Sequence, residues 1–496
     1  MSHHKRQRYF YNLGAILLTW HLQVGDTPAP ALVYPTPAET LALATTQTLP
    51  ATPPTPAPTK MAQLGRRLFF DPQFSSNQQV SCATCHQPEH GYTDTYPTAH
   101  GIGVGHRRTP SIAMVQHQNW FFWDGRADSL EAQALGPIEH PLEHGFSRVA
   151  LVKALYHSYA QEMQDIFGPW PLTAHEIATL PAHAAPTPSP EFLPTTVATY
   201  TLASLNDFWA QDTILTQAAK RQLSPGNLVS LYSDPRPTLP PAWTQAWERI
   251  PPTQQEAIHT IALQFGKAVA TFERGLHIQP GKFDRAVDTL TQPQLDSSPL
   301  NAEELHGMKV FFGPGQCHLC HSGPLFTDGQ FHNIGLPRHP QSRESSLSLD
   351  VGRSMGLVLA QKATFRCSNT THPLLDPTTE TCQELAWADP NSLELVGAFK
   401  TPSLRGVSER KYFMHDGRFS HLEEVIDYYN TLEEGLSLGH REETLRPLQL
   451  TTTDKQALIQ FLHTLSSPVI DSTKASQATT SLQHAPASHS NGTEQG

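Results

Sequence analysis

The chain has 496 residues, 38% of them hydrophobic and 16% charged, proportions that suit a soluble globular protein with two or three cores. A formal net charge of −11, with 27 histidines counted as neutral, argues against a nucleic-acid partner and is compatible with a basic protein partner.

In chain order, Lys5, Arg6 and Arg8 precede an apolar segment from about Tyr9 to Leu22 and a small-residue site at Ala29-Pro30-Ala31. Residues 1–31 therefore read as an export signal, and the protein is expected to be periplasmic. The apolar segment falls short of the roughly 20 residues that span a bilayer, so no membrane span is expected in the mature protein. Residues 32–60 are rich in Pro, Thr and Ala and read as a tether, too poor in large apolar side chains to bury a core.

Cys82-Ala83-Thr84-Cys85-His86 is the first of two Cys-x-x-Cys-His motifs, and Cys317-His318-Leu319-Cys320-His321 is the second. Each supplies two thiols for thioether bonds to a haem and an adjacent histidine for its iron, which predicts two covalently bound haems c with His86 and His321 as iron ligands. The alternative is a zinc or redox Cys-x-x-Cys with an incidental histidine, but zinc needs further thiol or imidazole ligands nearby, and no such set is evident.

A second Pro-rich region, about 171–252, surrounds a helical-looking stretch near Ala198 to Gln217 and reads as an insertion. After it, Ile258, Ile261, Ala262, Phe265, Val269 and Phe272 fall on one helical face. Cys367 and Cys382 lie on an Asn/Thr/Pro-rich loop without an adjacent histidine; a disulfide or a pair of reduced buried thiols would account for them. Ser420-His421-Leu422-Glu423 reads as a capping box opening a helix whose apolar face is Leu422, Val425, Ile426 and Tyr429, with Tyr428 off that face. Leu458, Phe461, Leu462 and Leu465 repeat the helical spacing after Asp454, a candidate N-cap. Residues 471–496 read as a disordered tail. The expected fold is mainly α: two cytochrome c-like domains, 61–280 and 281–470, each binding one covalent c-type haem.

The first motif is followed by Phe121-Phe122-Trp123-Asp124-Gly125-Arg126 and by the segment Ser129 to Ile138. The second is followed by Gly323 to Asp328, Phe331-His332-Asn333, Phe399 to Arg405 and Met414-His415-Asp416-Gly417-Arg418. Together these resemble the bacterial dihaem cytochrome c peroxidase and MauG family over about Leu64 to Leu465. The resemblance implies a peroxide-reacting N-terminal haem and a C-terminal haem that passes electrons or shares oxidising equivalents. It implies Glu143 as the catalytic carboxylate, since Gln133, Pro137 and Glu143 keep the family order, with Glu139 as the competing acid. It places Trp123 between the haems as a relay, against a plain core aromatic, and Tyr429 at the position of the second haem's distal ligand, against Met414. A calcium ion is held between the domains in many members; here the corresponding positions hold Arg108, Arg410 and Tyr412, so a calcium site is not expected. His100 and His106, in a Gly-rich loop, lie near the place of a histidine that blocks the first iron at rest in members requiring reductive activation.

The expected activity is reduction of hydrogen peroxide with electrons from a small c-type cytochrome or another donor protein. A MauG-like enzyme that oxidises side chains of a partner protein with peroxide-derived high-valent haem is the second reading. A non-catalytic dihaem electron carrier is the third.

Overall fold

Two crossings of glycine-bearing helices organise the chain. The computed structural model describes residues 32–49, 59–186, 239–291, 299–337, 350–366, 380–390, 392–432 and 439–474. Its helices in the first half are α1 (Pro37–Thr45), α2 (Lys60–Phe70), α3 (Cys82–Cys85), α4 (Leu130–Glu139), α5 (Arg148–Phe167), α6 (Ala174–Thr179), α7 (Pro241–Glu248) and α8 (Pro252–Glu273). They continue as α9 (Lys282–Thr291), α10 (Ala302–Phe312), α11 (Arg353–Lys362), α12 (Glu380–Trp387), α13 (Leu422–Thr431) and α14 (Thr452–His463). Two small antiparallel sheets pair β1 (Leu276–Ile278) with β4 (Val469–Asp471) and β2 (Phe331–His332) with β3 (Phe399–Lys400).

In the first lobe α2 crosses α8, and Gly65 lies so close to the Ala268 carbonyl that a methyl there would overlap it. In the second lobe α10 crosses α14, with Gly307 against the Ala457 carbonyl in the same way. The face expected on α8 is buried throughout, Ile258, Ile261, Ala262, Phe265 and Phe272 being fully so, and joins Leu64, Phe69, Leu135 and Val152 in the first core. In the second, Phe311 and Phe326 pack edge to face, and Phe461 packs against both at a tilt. The architecture is mainly α, with two cytochrome c-like domains.

Several local expectations need correction. Residues 32–60 are not all tether: α1 opens on a capping box between Thr36 and Glu39, and the segment behind it is strapped to the second lobe. There Leu49 N–H donates to Asp284 Oδ1 at 2.9 Å, and Arg405 Nη2 donates to the Gln47 carbonyl at 2.8 Å. Composition missed this because Thr40 and Ala44 need only lean on an existing core. The tail does not begin at 471, since Asp471 belongs to β4 and pairs with Leu276. The N-cap of α14 is Thr451, with Asp454 reaching back three residues later. At α13 it is Glu424, not Glu423, that accepts the N–H groups of Ser420 and His421, at 2.7 and 2.9 Å.

The flanks of the Pro-rich insertion are part of the first core: Leu172, Ile177, Leu180, Trp247 and Ile250 are all buried there. The stretch Ala198 to Gln217, the export signal and most of the tail lie outside the described residues. So does Cys367, although Cys382 is buried and disulfide-bonded.

Candidate haem sites

The two Cys-x-x-Cys-His motifs stand in matching surroundings, an internal repeat that the sequence reading did not extract. Cys82, Cys85, Cys317 and Cys320 are all free thiols. His86 donates from Nδ1 to the Tyr92 carbonyl at 3.1 Å, and His321 to the Phe326 carbonyl at 3.0 Å, which fixes each ring and leaves Nε2 as the nitrogen for iron. Burial lowers the pKa of both imidazoles, favouring the neutral form that ligates. The repeat continues through hydroxyl bonds. Thr93 Oγ1 donates to the Thr109 carbonyl, and Thr327 Oγ1 to the Thr401 carbonyl, both at 2.6 Å. Ser111 and Ser403 then bond the Gly91 and Leu325 carbonyls, again both at 2.6 Å. A signal was available: Thr109-Pro110-Ser111 and Thr401-Pro402-Ser403 follow the two motifs in the same order.

A cavity of about 520 Å³ adjoins the first motif and is lined by Cys85, His86, Phe122, Gln133, Pro137 and Glu143. The turn after α4 places Glu143: its N–H bonds the His140 carbonyl at 3.0 Å, and the His144 N–H bonds the Pro137 carbonyl at 3.1 Å. Its carboxylate lies 3.5 Å from His140 Nδ1 and is partly open, 29% exposed. Glu139, by contrast, is clasped by Arg148 through two bonds of 2.6 and 2.7 Å and does not line this cavity. Gln133 lines the cavity and is buried, and its Oε1 has no hydrogen-bond partner among the described residues. His100 and His106 do not line the cavity: His100 stacks on Tyr96 with ring centroids 4.3 Å apart, and His106 is exposed. The glycine loop that carries them is bonded to the turn of Glu143, Ile102 N–H to its carbonyl at 2.8 Å.

The second cavity, about 210 Å³, is lined by Cys317, Cys320, His321, Tyr429 and Met414, so both candidate ligands reach it. The Tyr429 hydroxyl has no hydrogen-bond partner among the described residues, and burial raises its pKa. Tyr428 is the more buried of the two, contrary to the helical-face reading, because its hydroxyl turns to the Ile334 carbonyl at 2.7 Å.

Trp123 lines both cavities. It is 9% exposed and its Nε1 donates to the Arg108 carbonyl at 2.8 Å. Around it the lobes exchange reciprocal backbone bonds, Lys400 N–H to the Trp123 carbonyl at 2.8 Å and Arg108 N–H to the His415 carbonyl at 2.7 Å. Arg108, Lys400 and Arg410 also line both cavities. Burial lowers the pKa of all three: Arg108 to about 10, Lys400 to about 7, and Arg410 to about 9, the last helped by repulsion from Arg108. Arg108 Nε is buried without a hydrogen-bond partner among the described residues. Under-compensated cations with an orphan donor suit the propionate carboxylates of haems, and with the paired thiols and oriented histidines the residues fit two haems c. They do not suit calcium, which takes oxygen ligands and would be repelled by the two guanidinium groups.

A family model described as di-haem cytochrome c peroxidase matches residues 59–185. The chain is 28% identical over 410 residues to a methylamine utilization protein MauG of Methylorubrum extorquens, covering 82% of this chain and 78% of that protein. It is 25% identical over 408 residues to the cytochrome-c peroxidase IdrP2 of Denitromonas iodatirespirans, covering 82% and 81%. Among solved structures, the dihaem peroxidase BthA of Burkholderia thailandensis shares the fold with a TM-score of 0.53 at 19% identity, over 84% of this chain and 87% of that one. The family model and the curated relatives support the dihaem cytochrome c peroxidase and MauG family, haem-bearing oxidoreductases acting on peroxide, as the one this chain resembles in sequence and fold.

Proposed function

We propose that the protein is an exported peroxidase that reduces hydrogen peroxide to water with electrons delivered by a small c-type cytochrome, or a similar donor, through the haem of the second lobe. Haem c would be attached at Cys82 and Cys85 and at Cys317 and Cys320, with His86 and His321 on the irons. Bound haem supplies iron that binds peroxide at the first site and stores an electron at the second. The observation that carries the reading is Trp123, an oxidisable indole forming a wall of both cavities. A buried core aromatic would face one of them.

The chain's own groups then divide the work. Glu143 accepts the proton from the inner peroxide oxygen and returns it to the outer one, so that water leaves. Gln133 Oε1, which has no donor among the described residues, accepts a hydrogen bond from the substrate and orients it. Trp123 relays charge between the sites, and the hydrogen bond from Nε1 to the Arg108 carbonyl fixes the indole plane. No helix among the described residues is long and apolar enough to cross a membrane, which accords with a protein working free in the periplasm.

One feature favours the second reading, oxidation of side chains on a partner protein. Tyr429 lines the second cavity with its hydroxyl unpartnered among the described residues, as a residue placed to bind iron would be, and phenolate ligation lowers the potential relative to a thioether. The relative of Methylorubrum extorquens carries the name MauG.

The test is to add one equivalent of hydrogen peroxide to the fully ferric, haem-loaded protein and follow its absorption. Since neither His100 nor His106 lines the first cavity, a prompt spectral change is expected. A change seen only after one haem has been reduced would mean that the first iron is blocked at rest.

A further inference from the structure

The last residue of α8 carries a carboxyl group that the reaction above does not use. Glu273 is 3% exposed, and its Oε2 is buried with no hydrogen-bond partner among the described residues. The two helix crossings show what it faces. Gly65 abuts Ala268 and Phe272 in the first lobe, as Gly307 abuts Ala457 and Phe461 in the second. The next residue after each phenylalanine is Glu273 in α8 and Leu462 in α14. Leu462 lines the second haem cavity. Glu273 therefore holds the corresponding place on the helix of the first lobe, and its charge is felt at the Cys82 sulfur.

Among the described residues, the cations nearest this carboxyl are paired with other acids. Arg274 pairs with Glu131 of α4 at 2.8 Å. On α2, Arg66 bonds Asp471 and Arg67 bonds Glu162. Burial pushes the pKa of Glu273 up to about 8, with Arg274 drawing it down and Glu131 adding to the rise.

We propose that Glu273 is a proton-exchanging group coupled to the first haem, taking up one proton when that haem takes up one electron. This rests on haem attachment at Cys82 and Cys85. An external one-electron donor reduces the ferric iron to ferrous; a proton from solvent converts the Glu273 carboxylate to the carboxyl; the summed charge of the buried pair is unchanged. The pKa of the carboxyl is lower beside ferric iron than beside ferrous iron, and between those two values the potential of the first haem falls as pH rises. Outside that window it is flat.

The experiment is a spectroelectrochemical titration of the haem-loaded full chain across pH, with redox-difference infrared spectra, on the wild type, Glu273→Gln and Glu273→Leu. Leucine is the residue that the second lobe already tolerates at this place. The expected result is a sloping segment for the first haem in the wild type, lost in both variants, and a carboxyl C=O band that appears on reduction in the wild type alone. A slope that survives in either variant, or the absence of the carboxyl band, overturns the proposal. A chain lacking haem at the first motif, measured as haem per chain in a Cys317→Ala/Cys320→Ala background, overturns the attachment and the proposal with it.

Discussion

The Lys400 amide donates to the Trp123 carbonyl at 2.8 Å, while the Arg108 amide donates to the His415 carbonyl at 2.7 Å. Arg108 and Lys400 hold matching places before the two Thr-Pro-Ser segments, and Trp123 and His415 hold matching places in the two Asp-Gly-Arg turns. The seam between the lobes is thus nearly two-fold, and it departs from symmetry where the indole stands. Trp123→Phe should retain both haems and the fold but slow electron transfer from the second haem to the first, read by flash or stopped-flow reduction. Unchanged transfer would make Trp123 a packing residue only.

Glu143 and Glu139 separate the two candidate acids. Glu143→Gln should leave haem content intact and lower peroxide turnover by about a hundredfold or more, the scale of a lost proton shuttle. Glu139→Gln should leave the chemistry alone and lower the thermal midpoint, because it strands the buried Arg148.

The second haem offers two ligands to test. Tyr429→Phe should change its absorption and magnetic-resonance spectra and raise its potential, whereas Met414→Leu should leave the ferric spectrum unchanged. The reverse pattern would assign the iron to Met414.

The helix crossings leave no room for a side chain. Gly65→Ala or Gly307→Ala would set a methyl against a backbone carbonyl and should destabilise by about 1–3 kcal/mol, seen as a lowered thermal midpoint of the haem-loaded protein.

The pH dependence of stability should show the ion cluster at His332. Its imidazole bonds Asp328 and Glu442, both at 2.8 Å, and these bonds raise its pKa. Burial opposes ionisation of Asp328, but the bonds from His332 and the Gln330 amide hold its pKa low; Glu442 is lowered by His332. The histidine contribution is complete below its unfolded pKa and is lost as pH rises through the raised folded value. The carboxylate contributions are complete above their unfolded values and are lost as pH falls through the lowered ones. Thermal midpoints measured across pH should therefore fall on both sides of mildly acidic pH, and His332→Gln should flatten the alkaline side.

What the sequence disclosed was local chemistry and periodicity. The haem motifs need only adjacent residues, the buried face of α8 follows from helical spacing, and Gln133, Pro137 and Glu143 share one continuous segment. What it concealed depended on distant pairing. Leu49 is anchored by Asp284 and Arg405, far along the chain, so its Pro- and Thr-rich surroundings suggested a tether. Tyr428 is buried through a carbonyl on another segment, which helical spacing does not report. Glu273 reads as an ordinary charged helix end beside Arg274 until its match with Leu462, which lines the second cavity, singles it out.

The most direct measurement mixes the haem-loaded protein with a reduced small c-type cytochrome and hydrogen peroxide and follows cytochrome oxidation. The proposed function predicts catalytic oxidation of two cytochromes for each peroxide consumed, with the rate collapsing in Glu143→Gln. Absence of peroxide-dependent oxidation, with both haems present and unreactive toward peroxide, would contradict it and leave an electron carrier.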